Sequence, residues 1–218
     1  MEKKNSETKD GSDISMTLRW EASLLKVKNF VDGLVDRYSQ TMRIEAHEAK
    51  DIVARRAASL MEKGQYGKAI DEFNRLMKMG KESPTIYYNL GLCCENEEMD
   101  EEAEQAYKKA LEMDPAFEKA FYQLGLLAIK HEDAKSAVEY LSHSAKEPNA
   151  SFDVLYQLGV AYDKLKDYES AIASFEKAIA ADPSHPKAHK RLGYAFDAAG
   201  KREDAVRCFK KAIELEEI

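Results

Sequence analysis

Apolar and polar positions alternate along this chain in a helical rhythm that restarts at a fixed interval. Within 152–164, Phe152, Leu155, Leu158 and Tyr162 fall three and four residues apart, which puts them on one face of a helix. Lys166–Asp167 interrupts the stripe as a turn. Tyr168, Ala171, Ile172, Phe175 and Ile179 then form a second stripe, and Asp182–Pro183 ends it because proline cannot continue a helix. The pattern predicts two short helices folded back on each other. Gly159 and Ala171 are small where the pair must approach closely.

The same phrase recurs. Gly91, Gly125, Gly159 and Gly193 stand 34 residues apart, with Ala57 at the same interval before them. Ala69, Ala103, Ala137, Ala171 and Ala205 keep that spacing, as do Phe73, Tyr107, Leu141, Phe175 and Phe209. The units are 50–83, 84–117, 118–151, 152–185 and 186–218. One hairpin has too little apolar surface to stand alone, whereas a stack of neighbours completes a shared core. The expected fold is therefore all-α, a solenoid of helical hairpins.

A helical pair every 34 residues, with small residues at its eighth and twentieth positions, resembles the tetratricopeptide repeat. The resemblance covers 50–218 and implies a right-handed superhelix whose main role is to bind protein. The first unit departs from it, with Arg56–Ala57 in place of the usual leucine and glycine. The third has Ser144 where the others have alanine, and Ala128 where an aromatic is usual. The resemblance also places the fifth, sixth and ninth positions of each unit on a concave inner face. Those positions read Tyr88, Tyr122, Tyr156 and Lys190; Asn89, Gln123, Gln157 and Arg191; and Leu92, Leu126, Val160 and Tyr194. With Lys187, they are the candidate peptide- or protein-binding groove. Tyrosine offers broad apolar contact with a polar tip, and the amides can bond an extended main chain. The same tyrosines are equally suited to packing between successive first helices. Some relatives clamp a terminal carboxylate with lysine and asparagine residues from two repeats and a Lys–Arg pair from the next. Lys187 and Arg191 match that pair, but Tyr122, Leu126 and Gln157 replace the rest. What remains is a local basic patch, Lys187, Lys190 and Arg191, suited to an acidic segment.

Ahead of the repeats, Leu24, Val27, Val31, Leu34 and Tyr38 give an amphipathic helix with Trp20 near its start. The expected division is a disordered tail over 1–15, a helical segment over 16–49 and repeats over 50–218. The middle segment either caps the first repeat, as a helix or a hairpin, or offers Trp20, Leu24, Val27, Val31 and Leu34 to another subunit for self-assembly.

Charge and chemistry narrow the function. The 218 residues carry a formal net charge of -7, a poor match for nucleic acid. Charge is uneven: 84–117 holds nine acidic residues against two lysines, while 50–83 and 186–218 are net basic. Such asymmetry suits a head-to-tail contact between copies. Cys93, Cys94 and Cys208 form no disulfide framework, which suits a reducing compartment. The first fifteen residues have no apolar stretch of the signal-peptide kind, and no 18-residue apolar run spans a bilayer. His185 and His189 lack further patterned ligands, and no phosphate loop, metalloprotease motif or nucleophile elbow occurs. No metal, cofactor or catalytic residue is expected, and no enzymatic activity.

A narrower resemblance is to the magnetosome-associated repeat scaffolds of magnetotactic bacteria. It rests on the chain length, a short helical segment before five repeats, EKGQYGKAI at 62–70 and PNASFDVLYQLGVAYDKLKDYESAIASFEKAI at 148–179. It implies a cytoplasmic protein, peripheral to the magnetosome membrane and not inserted in it, that self-assembles and recruits other proteins, with magnetosome membrane proteins among the candidates. The alternative is a cytoplasmic adaptor or co-chaperone that binds peptide segments of other proteins.

Overall fold

The computed structural model describes residues 11–146 and 150–217, and their side chains from residue 25 onward. The described residues form ten α-helices and no strand: α1 (Gly11–Glu62), α2 (Tyr66–Lys78), α3 (Pro84–Asn96), α4 (Asp100–Met113), α5 (Glu118–Lys130), α6 (Ala134–Ser144), α7 (Phe152–Lys164), α8 (Tyr168–Ala181), α9 (Pro186–Ala198) and α10 (Arg202–Glu216). The chain divides at Val53–Ala54 into two compact units. The second is the expected solenoid. Each of α3 to α10 packs on the helix before or after it in sequence, and α7 also touches α5 and α9.

The repeat register is physical. A Cβ on Gly159 would lie 2.6 Å from the Phe175 ring, and one on Gly125 would lie 2.5 Å from Leu141. At these two positions the missing side chain lets the helices of the hairpin close onto the large residue 16 positions later. Alanines of the second helices, Ala69, Ala103, Ala137 and Ala171, are wholly buried at the opposite contact. In the first unit Ala57 takes the glycine's place and is itself fully buried. Arg56, standing where leucine is usual, turns outward and bonds Glu72 of α2 at 3.1 Å. That pairing accommodates the departure seen in the sequence.

The hairpin turns repeat too. Gly64, Glu98, Glu132, Lys166 and Gly200 all have a left-handed backbone, φ between 60° and 80°. Each reverses the chain after the first helix of its unit. Asp133 and Asp167 then cap the next helix, accepting from Ser136 N at 3.1 Å and Ser170 N at 3.2 Å. Along this edge neighbouring repeats are tied together. Glu97 accepts from Gly67 N at 2.9 Å, Lys130 reaches Asp100 at 2.7 Å, and Lys201 reaches Glu169 at 3.0 Å.

The N-terminal division differs from the sequence expectation. A single uninterrupted helix runs from Gly11 through the boundary drawn at 49–50, so there is no hairpin. Residues 11–15, expected in the tail, are already helical. Once a helix is nucleated, each further residue adds a hydrogen bond, so it extends into polar sequence until a breaker stops it. Residues 1–10 lie outside the described residues.

Candidate functional site

Helices α3, α5 and α7 each bring a tyrosine to the same place, their fifth residue, just over one turn in. Tyr88, Tyr122 and Tyr156 are all half-buried, as are Asn89, Gln123, Gln157, Leu92 and Leu126 beside them. The buried sides of the rings pack. Tyr88 lies 5.9 Å from Tyr107 and 5.5 Å, edge to face, from Phe117, and Tyr156 lies 5.8 Å from Phe175 and 5.6 Å from Phe152. The remaining surface lines shallow hollows. Tyr88 and Tyr122 share one of about 290 Å³ with Lys119 and Asp153. Tyr88 and Asn89 also border one of about 330 Å³. Tyr156 and Tyr194 share one of about 340 Å³ with Lys187, Lys190 and Arg191. The tyrosines therefore pack between helices and keep part of each ring exposed. Burial raises the Tyr122 phenol above its ordinary value, and the Asp153 charge adds to the rise.

Val160 differs from its counterparts. It is buried in a cluster with Ile172, Phe175 and Leu192, so it contributes to packing between α7, α8 and α9. In contrast, Lys187, Lys190, Arg191 and Tyr194 are all exposed. They share one face of α9, at spacings of three, four and seven. Arg191 stands 3.8 Å from Asp163 of α7, an ion-pair distance without a hydrogen bond.

Two supporting aromatics were missed in the sequence. Phe117 stacks on Tyr88, and His185 lies over Phe152 at 4.4 Å and near Tyr156 at 6.3 Å. Both occupy the last position of their repeats. The equivalent positions in the first and third units hold Ser83 and Ser151, which cap α3 and α7. Reading down that column would have exposed the alternation between a capping serine and an aromatic prop.

The N-terminal helix presents a second candidate surface. Val27, Val31 and Leu34 are 60%, 48% and 46% exposed. Phe30, Val35, Tyr38 and Met42 are exposed as well, so the apolar face is broader than the stripe read from the sequence. Trp20 and Leu24 lie on the helical backbone, but their side chains fall outside the described residues. Among the described residues, no group of three or more His, Cys, Asp or Glu side chains is placed to hold a metal ion. Nor is any helix of those residues long and apolar enough to cross a membrane.

Helical hairpins in 34-residue register, with an inner row of tyrosines and amides, define a class that comparison with known proteins identifies. Residues 84–117 and 152–185 match the tetratricopeptide repeat family, and 187–218 match a second form of the same repeat. The chain contains tetratricopeptide repeats. Among solved structures it is similar to MamA. One crystal structure of MamA aligns with a TM-score of 0.72 at 26% identity, over 77% of this chain and 92% of that one. Another aligns with a TM-score of 0.69 at 27% identity, over 74% and 94%. MamA from Desulfovibrio magneticus RS-1, residue 41 to its end, aligns with a TM-score of 0.72 at 24% identity, over 77% and 95%. No curated protein sequence matches the chain.

Proposed function

We propose that this protein is a non-enzymatic scaffold that self-assembles and recruits other proteins, and that it works in the cytoplasm at the surface of the magnetosome membrane. The solenoid class supports the protein-binding role, and the likeness to MamA at 26% identity supports the magnetosome setting. The observation that carries self-assembly is the apolar face of α1. A run of large hydrophobic side chains 46–68% exposed is costly in water and marks a surface that another molecule covers. The tyrosine row, with its amides and shallow hollows, is the receiving groove, and an amphipathic helix laid in such a groove is a common mode of recognition.

The test is light scattering of the full chain across a concentration range. The wild type is expected to form large assemblies, and Val31→Glu/Leu34→Glu is expected to run as a monomer or small oligomer with unchanged helicity. A chain starting near Thr41 gives the same contrast without new charges. A monomeric wild type at tens of micromolar, or assemblies that survive both changes, refutes the self-assembly reading and favours an adaptor that binds peptides of other proteins.

A further inference from the structure

The start of α9 carries its charge the wrong way round. A helix N-terminus has a partial positive charge and favours acidic residues. The first turns of α4, α5, α7, α8 and α10 carry them, whereas α9, like α2, α3 and α6, has none; α9 places Lys187 in its first turn and Lys190 and Arg191 in the next. Lys187 and Lys190 have no hydrogen-bond or ion-pair partner among the described residues, and Arg191 has only the distant Asp163 carboxylate. Together with Tyr156 and Tyr194 they wall a hollow of about 340 Å³. Three cations crowded on one helical face repel one another, and among the described residues only the Asp163 carboxylate lies near enough to offset one of them.

The complementary surface is in the same molecule, three repeats earlier. The corner between α3 and α4 exposes Glu97, Glu98, Glu101, Glu102 and Glu104. Glu97 is occupied by Gly67 N and Glu104 by Lys108. Glu98, Glu101 and Glu102 have no hydrogen-bond or ion-pair partner among the described residues. The two patches belong to different repeats of one solenoid and do not pair within the chain.

We propose that the basic hollow on α9 receives the acidic α3–α4 corner of a second copy of this chain. The contact is heterologous: each copy offers one acidic and one basic surface, so it propagates head to tail. It rests on the self-assembly reading above and adds to the apolar contact a polar one that sets register. Opposed charges fix orientation and speed encounter, and salt weakens them. Tyr156 and Tyr194 supply hydroxyls and apolar edges around the carboxylates.

The test uses full-length Lys187→Glu/Lys190→Glu and Glu101→Lys/Glu102→Lys, all at exposed positions, in sedimentation velocity at low ionic strength. Each variant alone is expected to associate at least about tenfold more weakly than wild type, because like charges now face each other. An equimolar mixture is expected to recover association with the two variants alternating, since each native patch meets its complement on the other chain and the two reversed patches are complementary as well. That recovery also excludes misfolding of either variant. Repeating the mixture with Val31→Glu/Leu34→Glu added to both chains isolates the charged contact. Pairing there with wild-type strength means that the apolar contact is dispensable. Variants that assemble like wild type, a mixture that behaves as the sum of its parts, or a wild type indifferent to salt overturns the proposal and leaves the apolar reading standing.

Discussion

Substituting alanine at Gly159 isolates what holds a hairpin together. The new Cβ would sit 2.6 Å from Cδ1 and Cε1 of Phe175 and 2.9 Å from its Cζ. Carbon atoms rest about 3.5–4.0 Å apart, so the ring must retreat by about 1 Å. It has nowhere to go, because Phe175 is fully buried and Val160, Ile172 and Leu192 surround it. Overpacking of this kind costs about 1–3 kcal/mol. Alanine in a helix interior returns about 1 kcal/mol relative to glycine. The net loss is up to about 2 kcal/mol, or up to about 8 °C in Tm for a chain of this size. Gly193 faces the same geometry, with Phe209 at 2.6 Å, but Phe209 is only half-buried and can tilt outward. Gly193→Ala is therefore expected to be near neutral. Gly33 has nothing within 4 Å of the added Cβ, so Gly33→Ala is expected to gain the propensity term without a clash. Thermal melts followed by circular dichroism rank the three. If Gly159→Ala melts at or above wild type, or no lower than Gly193→Ala, the close approach does not limit packing.

Other expectations follow from single sites. Burial raises the Glu95 carboxyl above its ordinary value, and the Tyr107 hydroxyl that donates to it offsets part of the rise. The folded state thus holds this proton more tightly than the unfolded one. The group's contribution to stability increases as pH falls through its folded pKa toward about 4.5, against the usual trend for carboxylates. Glu95→Gln should flatten that dependence while keeping an acceptor for Tyr107, whereas Glu95→Leu should cost about 1–3 kcal/mol by orphaning the hydroxyl; denaturant titrations at two pH values distinguish them. Asp167→Ala should cost about 1 kcal/mol through the lost cap on α8, read by the same titrations. Burial pushes the Cys93 thiol up to about 12, so alkylation at mildly basic pH should reach Cys208 first and Cys93 only on unfolding.

The hairpins were legible because helix contact imposes a spacing that sequence must obey. Gly91, Gly125, Gly159 and Gly193 mark the fold because each stands where a large side chain of the next helix closes in. The basic face of α9 was also legible, since spacings of three, four and seven on one helix need no tertiary knowledge. The dual use of the tyrosines was not, because one pattern serves both packing and exposure and only the partners Phe117, Phe152 and His185 decide the share. Val160 was misplaced for a related reason. Position nine lies at the border of the inner face, and the bulk on α8 and α9 draws it inward. The continuity of α1 across 49–50 was hidden because the repeat register ends there while helix propensity does not. The left-handed residues at turn positions 98, 132 and 166 gave no composition signal, being glutamate and lysine where glycine stands at 64 and 200.

Contacts that run only between neighbours also order events in time. A chain emerging from the ribosome at about 5–20 residues per second completes one 34-residue hairpin roughly every 2–7 s. Each new hairpin finds its docking surface already made, because its predecessor left the tunnel just before it. At no moment need the chain wait for a distant segment, so no more than a single hairpin's worth of apolar surface stands uncovered. On α10, Val206 and Ile213 are 51% and 56% exposed. They are the kind of face that each earlier hairpin presented to the next one in turn.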